Sequence, residues 1–297
     1  MINLHVVYDV AGWSYHHIAR ALQEHCPDDF AITMGSYTDF MAAPASPSAD
    51  LVLCLPYHQL ADVRQKASAK ARIVASFNTG KCTRGELREL LRHCDWLVVN
   101  NDAAWEQAGR LERTTPIANG VDLDLFRPLD RVPERHRVLW VGSRLYAELK
   151  GYPILQQLEQ EIPARLRVAT DFRLVDSFGK TGRRMSLEEM AQWYQTGTIY
   201  VCVSEYEGTP NPVIESMASG LVIVSTPVGN VPELIRNGFN GIMVQRSSEA
   251  ILSGIEMALC GYRRLREKSL ETIVSRSWKH QCQIYFALLR NVVSQRN

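Results

Sequence analysis

A chain of 297 residues with 46% hydrophobic and 22% charged side chains is long enough for two packed cores, and its composition excludes a disordered or collagen-like protein. The formal charge is +1, yet residues 1–130 carry 12 Lys and Arg against 16 Asp and Glu, and the remainder carries 21 against 16. A first half with net negative charge is not built to track a nucleic-acid backbone and argues against strong docking on anionic lipid. No apolar run approaches the ~20 residues that cross a bilayer, and Met1–His5 lacks the basic region of a secretory leader, so no stable membrane insertion and a cytoplasmic location are expected.

Ile2–Tyr8 reads as a first strand, and Asp9–Ser14 as the turn into a helix through Leu22. Strand-like runs recur at Phe30–Met34, Leu51–Leu55, Arg72–Phe77, Trp96–Val99 and Pro116–Ala118, with helix-compatible segments between most of them. Such alternation predicts parallel βαβ units in an α/β protein. The Pro/Ser/Ala stretch Met41–Asp50 must be a loop, and Phe126–Pro133, with its prolines and charges, reads as a linker. The natural division is therefore 1–130 and 131–297. Beyond it, Arg137–Val141 is a strand, Gly142–Lys150 a polar loop before a helix, and Ser186 with Glu189 a capping box that starts a helix through Gln195. Leu221–Ser225 and Gly241–Val244 are further strands, and Trp278–Val293 is one long amphipathic helix. The seven cysteines are scattered without a C-x-x-C pair, the usage of reduced thiols rather than of disulfides or a zinc site.

The most informative stretch is Ser204–Gly220. Gly197–Val203 before it has the apolar, β-rich composition of a strand buried on both faces. Asn211 is a good N-cap and Pro212 suits a first helical position, so a short helix is expected from Pro212 to Gly220. A strand, a turn rich in Gly and Pro, and an open helix N-terminus make an anion site, with the amides of Val213 and Ile214 offered outward. Glu207 lies just before that helix and Glu215 about one turn into it. Two carboxylates beside an anion need polar partners of their own on the ligand, and a sugar nucleotide supplies them as hydroxyls flanking a diphosphate.

Glu207 and Glu215, embedded among Gly208, Pro212, Met217, Ala218 and Gly220, resemble the E-x7-E signature of retaining family 4 glycosyltransferases. Ile117–Asp122 with Phe126 and Pro128 is similar to the stretch that closes the first domain in that family. Gly142, Ser143 and Arg144 followed by Lys150 and Gly151 are similar to its diphosphate loop, and Gly229, Pro232, Glu233 and Gly241 to the segment that follows the signature helix. The resemblance covers Pro116–Val244 closely and the first hundred residues in outline. It implies the GT-B fold, two Rossmann-like parallel-sheet domains facing a crevice, acceptor-side first and donor-side second. In that family the last helix often crosses back onto the first domain, a course open to this tail.

The resemblance further implies roles for single residues. Arg144, Lys150 and the amides of Val213 and Ile214 would hold the donor diphosphate without a metal or other cofactor. Glu215 would accept from the ribose hydroxyls, Glu207 would stand beside the transferred sugar, and Gly208, Thr209, Pro210 and Asn211 would contact sugar or phosphate. Gly12 is the single glycine in the first strand-helix turn, where Trp13 and His16 would face the acceptor or a phosphate, and His58 would be the active-site histidine after a middle strand. The implied partners are a nucleotide-sugar donor and a hydroxyl acceptor: a glycan, a lipid-linked sugar reached at the inner membrane face, another hydroxyl compound, or modified DNA. Two other readings stay open, another GT-B enzyme such as an epimerase or phosphorylase, and a nucleotide-sugar-binding protein without turnover.

Overall fold

In the computed structural model, which describes residues 1–44, 48–79, 83–129, 135–142, 146–165, 170–176 and 185–295, the chain forms two units. One comprises Met1–Gly120 with Trp278–Asn297, the other Val121–Ser277. The first division falls upstream of the stretch read as a linker. Phe126, inside that stretch, is 3% exposed and belongs to the core of the second unit, which explains why the chain commits to that unit before the prolines.

The first unit runs β1 (Ile2–Tyr8), α1 (Ser14–Glu24), β2 (Phe30–Ser36), α2 (Tyr37–Ala42), β3 (Leu51–Cys54), α3 (Leu60–Lys66), β4 (Arg72–Phe77), α4 (Arg84–Leu90), β5 (Trp96–Val99), α5 (Asp102–Gln107) and β6 (Thr114–Pro116). Among the described residues its six strands are all parallel, in the order β2-β1-β3-β4-β5-β6. The period of two along each strand feeds opposite layers: Leu51 and Leu53 of β3 pack with α1, while Val52 and Cys54 pack with α3 and α4. The C-terminal helix Trp278–Ser294 joins the α1 layer through Cys282, Tyr285, Phe286 and Leu289. Arg290 anchors it with a two-pronged bond to Asp29, at 2.7 Å on each oxygen, and lies over the ring of Phe30. At its first turn Gly120 is needed, since a Cβ there would stand 2.7 Å from the Trp278 ring.

The second unit continues with β7 (His136–Gly142), α6 (Tyr152–Arg165), β8 (Thr170–Asp176), α7 (Leu187–Tyr194), β9 (Ile199–Cys202), α8 (Asn211–Ala218), β10 (Val222–Ser225), α9 (Val231–Leu234), β11 (Ile242–Met243), α10 (Ser248–Cys260) and α11 (Tyr262–Ile273); the C-terminal helix is then α12. Among the described residues its five parallel strands are ordered β11-β10-β9-β7-β8. Leu139, Tyr200 and Ile223 face α7 and α8, and Val138, Ile199 and Val222 face α6, α10 and α11. Both sheets therefore share one doubly wound topology, in which the strand order reverses beside the first strand of each unit. Ligands of such sheets bind at that reversal, outside the carboxyl ends of the strands. Among the described residues no helix is long and apolar enough to cross a membrane.

Two local readings differ from the structure. The strand read at Pro116–Ala118 lies at Thr114–Pro116, and its pairing with β5 closes on the bond from the Ile117 amide to Val99 O at 2.8 Å. The helix read from Pro212 with Asn211 as its cap begins one residue earlier, capped by Pro210. Gly220 follows it with φ +83°, as a helix stop requires.

Candidate functional site

In the second unit the order reverses between β7 and β9, and the candidate site is built there from three loops. The β9 strand ends at Cys202 and the chain runs through Ser204 and Glu207 to α8. Against it stands the turn before α6, which carries Lys150. Gly151 (φ +72°) lets that turn close in, because a Cβ there would lie 2.7 Å from the Val203 carbonyl oxygen. The Glu205 amide donates to Leu149 O at 2.8 Å, and Arg246 bridges the same two segments, donating Nε to Val203 O at 2.9 Å and Nη2 to Glu148 O. From the third side Thr226 Oγ1 donates to Ser204 O at 2.9 Å.

The turn after β10 finishes the frame. A Cβ on Gly229 (φ +52°) would lie 2.1 Å from Gly208 O, so this position admits glycine alone at the observed geometry. Next to it the buried Asn230 donates its amide to Gly208 O at 3.2 Å and its Nδ2 to Thr209 Oγ1 at 3.1 Å. The loop from Glu207 to Pro210 is thus held by backbone contact on one side and by the Lys150 turn on the other.

Within this frame Lys150 Nζ forms an ion pair with Glu207 Oε1, their side chains 27% and 13% exposed. Ser204 Oγ donates to the same oxygen at 2.7 Å. Glu215, on α8, receives a bond of 3.0 Å from the hydroxyl of Tyr194, whose side chain is fully buried. Burial, and then the nearby Glu215 charge, push the Tyr194 phenol well above its ordinary range, so it stays a donor. Further along, Arg276 and Glu233 pair at 3.1 Å with both side chains largely covered.

Lys150, Glu207, Gly208, Thr209, Pro210 and Asn211 are therefore brought together, with Glu215 on the helix that issues from their loop. Arg144 lies outside the described residues. The Val213 amide, read as outward-facing, donates to Pro210 O at 2.8 Å inside the first turn of α8, so it is occupied. The earlier helix start is the cause. The Val213 and Ile214 side chains are core residues. Sequence reasoning missed Tyr194 and Ser204 as partners of the two acids, and Asn230 as a partner of the Gly208–Thr209 loop. Ser204 was visible within the stretch itself, but nothing local marks Tyr194 or Asn230.

The first unit holds the other residues in two separate places. Gly12 has φ +78°, its amide donating to His16 Nδ1 at 3.0 Å and its carbonyl accepting from His17 Nε2 at 3.0 Å. His16 therefore presents an unprotonated Nδ1, in keeping with burial, and then Arg20, lowering its pKa. Its ring lies 4.7 Å from that of Tyr8, and Trp13 beside it is 48% exposed. His58 sits on the short turn Tyr57–Gln59 after β3 and lines a concavity of about 380 Å³ with Tyr57, Phe77, Glu86 and His93. Gly12, Trp13 and His16 do not line it. Among the described residues no group of three or more His, Cys, Asp or Glu is placed to hold a metal ion.

Comparison with known proteins bears on the second unit first. The family model "Glycosyl transferases group 1" matches residues 135–260. The chain is 26% identical over 243 residues to D-inositol 3-phosphate glycosyltransferase 1 of Catenulispora acidiphila, covering 67% of this chain and 58% of that protein. To the D-inositol 3-phosphate glycosyltransferase of Mycobacterium tuberculosis it is 27% identical over 193 residues, covering 54% and 40%. The chain thus spans about half the length of these curated relatives. Among solved structures, sucrose-phosphate synthase from Thermosynechococcus elongatus superposes with a TM-score of 0.77 at 15% identity, covering 100% of both chains. Anabaena HepE in complex with UDP and glucose superposes with a TM-score of 0.75 at 14% identity, covering 98% of this chain and 100% of that one. Two parallel, doubly wound sheets and this likeness along the whole chain give the protein the α/β architecture of GT-B glycosyltransferases.

Proposed function

We propose that the chain is a retaining, metal-independent glycosyltransferase, taking a sugar from a nucleoside-diphosphate donor held by the second unit and passing it to a hydroxyl acceptor. The observation that carries this reading is the Lys150, Glu207 and Ser204 cluster at the strand reversal, beside a helix whose Glu215 is held by Tyr194.

When the glycosidic bond to the donor breaks, negative charge gathers on the β-phosphate of the leaving nucleoside diphosphate. A cation already fixed beside it lowers the barrier without reorganisation, and losing one such group costs on the order of 10² in turnover. Lys150 is assigned that role, with Arg144 as the second cation and the Ile214 amide as a neutral donor near the positive end of α8. Glu215 is assigned to the ribose hydroxyls. Both contacts described for Glu207 use Oε1, and its Oε2 is assigned to a hydroxyl of the transferred sugar, with the backbone of Gly208–Asn211 along the same sugar. Retention follows when the acceptor oxygen attacks the face the phosphate is leaving. The acceptor proton then passes to the departing phosphate oxygen, and no separate base is needed. The first unit is assigned to the acceptor, with the Gly12–His16 turn and His58 as its contacts.

The test is nucleoside diphosphate release from a donor and acceptor panel, with the anomeric configuration of the product read by NMR. UDP-glucose heads the donors because HepE was solved with UDP and glucose, and inositol 3-phosphate is included because the curated relatives are named for it. Transfer with retention, undiminished by chelator and lost on Lys150→Ala with folding intact, is the expected result. Release that is unchanged in Lys150→Ala and Glu207→Ala would remove the assignment.

A further inference from the structure

We propose that the first unit carries an anion site for a phosphate group, in the concavity between α4 and the loop that leads from α5 into β6. The concavity measures about 370 Å³ and is walled by Arg84, Arg88, Arg110 and Arg113, with Glu112 as the acid among the lining residues. Four guanidinium groups at one hollow stand out in a part of the chain where acids outnumber bases.

Two of the four are fixed in place. Arg113 donates to Leu91 O at 3.4 Å and to Cys94 O at 3.3 Å, just past the end of α4. Arg110 pairs with Glu106 and lies 5.2 Å over the ring of Trp105. Arg110 (φ +46°) and Arg113 (φ +60°) both adopt left-handed backbone, which residues with a side chain avoid. The loop thus holds two long cations toward the hollow at a conformational cost that glycine would not incur.

The other two face them from α4. Arg84 and Arg88 are one helical turn apart on one face, where like charges repel. Arg84 is also the first residue of that helix, the end at which the dipole disfavours a cation. Among the described residues neither guanidinium makes a hydrogen bond or ion pair. Repulsion of this kind is relieved by a multivalent anion. Guanidinium forks bind oxyanions in pairs of parallel bonds, and a tetrahedral phosphate offers enough oxygens for several forks at once, which a planar carboxylate does not. The phosphate belongs either to a soluble phosphoester or to a lipid headgroup. No residue of this site belongs to the donor site, so the two assignments stand or fall separately.

The experiment uses the full chain with the donor site saturated by UDP, and titrates inorganic pyrophosphate by calorimetry in one arm. In the other arm it measures co-sedimentation with phosphatidylcholine vesicles, with and without phosphatidylglycerol. Arg84→Gln/Arg88→Gln is compared with the parent, both substitutions being on the exposed face of a short helix, with folding checked by circular dichroism. Binding of pyrophosphate, or of the anionic vesicles, that weakens about 10-fold or more in the double variant while UDP affinity holds is the expected result, and the responding arm identifies the source of the phosphate. No binding in either arm by the parent, or binding indifferent to the two substitutions, overturns the proposal.

Discussion

Tyr194 reaches from α7 to α8 and places its hydroxyl 3.0 Å from Glu215 Oε2, the whole ring being buried between β7, β9 and Phe126. The bond orients the carboxylate of Glu215. Tyr194→Phe keeps the packing and deletes the bond, which is worth about 1 kcal/mol or somewhat more to a charged acceptor. Donor affinity should fall roughly 5-fold to 10-fold with kcat little changed. The sharper readout is calorimetry with UDP against its 2′-deoxy and 3′-deoxy analogues: discrimination between them should shrink in the variant. A loss equal for all three would mean that Tyr194 serves the fold and does not orient Glu215 toward a ribose.

His5 predicts an acid-side weakness in the first unit. It is 7% exposed in β1, its Nδ1 is 2.8 Å from Thr33 Oγ1, its ring stacks on Phe40, and burial lowers its pKa below the ordinary value of 6.5. As pH falls through about 6.5, the unfolded chain binds a proton that the folded chain refuses. The stabilisation is therefore complete above that pH and is lost progressively as pH falls toward the folded pKa. His16 and His136, both lowered by burial, act with the same sign. Thermal unfolding from about pH 7.5 to about pH 5.5 should show a falling midpoint, with a shallower slope in His5→Phe. An unaltered slope in that variant would clear His5 of the effect.

The loop from Ser204 to Gly220 was legible because its determinants are local: the apolar strand before it, Gly208, the prolines around Asn211, and Gly220 after it. Even so, the first turn was misread by one residue, since the Pro210 carbonyl takes the Val213 amide and a proline cap has no side-chain signature. What the sequence could not supply were the partners that arrive from elsewhere. Tyr194 reads as an ordinary core aromatic of α7, and Asn230 as a turn residue of the segment after β10. Strand β8 escaped for a different reason. Thr170–Asp176 mixes three charged residues into a strand at the edge of its sheet, where the apolar run typical of a central parallel strand is not required. The final helix was read correctly as amphipathic, but only the contacts of Tyr285 and Phe286 with the α1 layer reveal which sheet it covers.

Gly229 should be intolerant of any side chain. Its φ of +52° disfavours an L-residue, and the 2.1 Å approach of a Cβ to Gly208 O cannot be relieved without moving the backbone that carries Glu207. Gly229→Ala is expected to cost about 1–3 kcal/mol in chemical denaturation, and to weaken donor binding beyond that by displacing the Glu207 loop. Gly238→Ala is the control. It shares a positive φ, +74°, but has nothing within 4 Å of the added carbon. Equal losses for the two would show that backbone strain alone accounts for Gly229, and that its contact with Gly208 is dispensable.

The ion pair of Lys150 with Glu207 allows structure and chemistry to be separated by a double-mutant cycle. Lys150→Met or Glu207→Gln alone strands one partner in a setting where the side chains are only 27% and 13% exposed, whereas the double variant strands neither. Unfolding measurements should therefore give a coupling of ~0.5–3 kcal/mol, with the double variant more stable than the sum of the singles implies. Turnover should behave in the opposite manner. On the proposed function Lys150→Met should lose on the order of 10², the leaving diphosphate then lacking a preorganised cation, and adding Glu207→Gln should restore none of it. If stability and turnover recovered together in the double variant, the pair would be a structural clamp, and the cation that meets the diphosphate would have to be sought elsewhere in the unit.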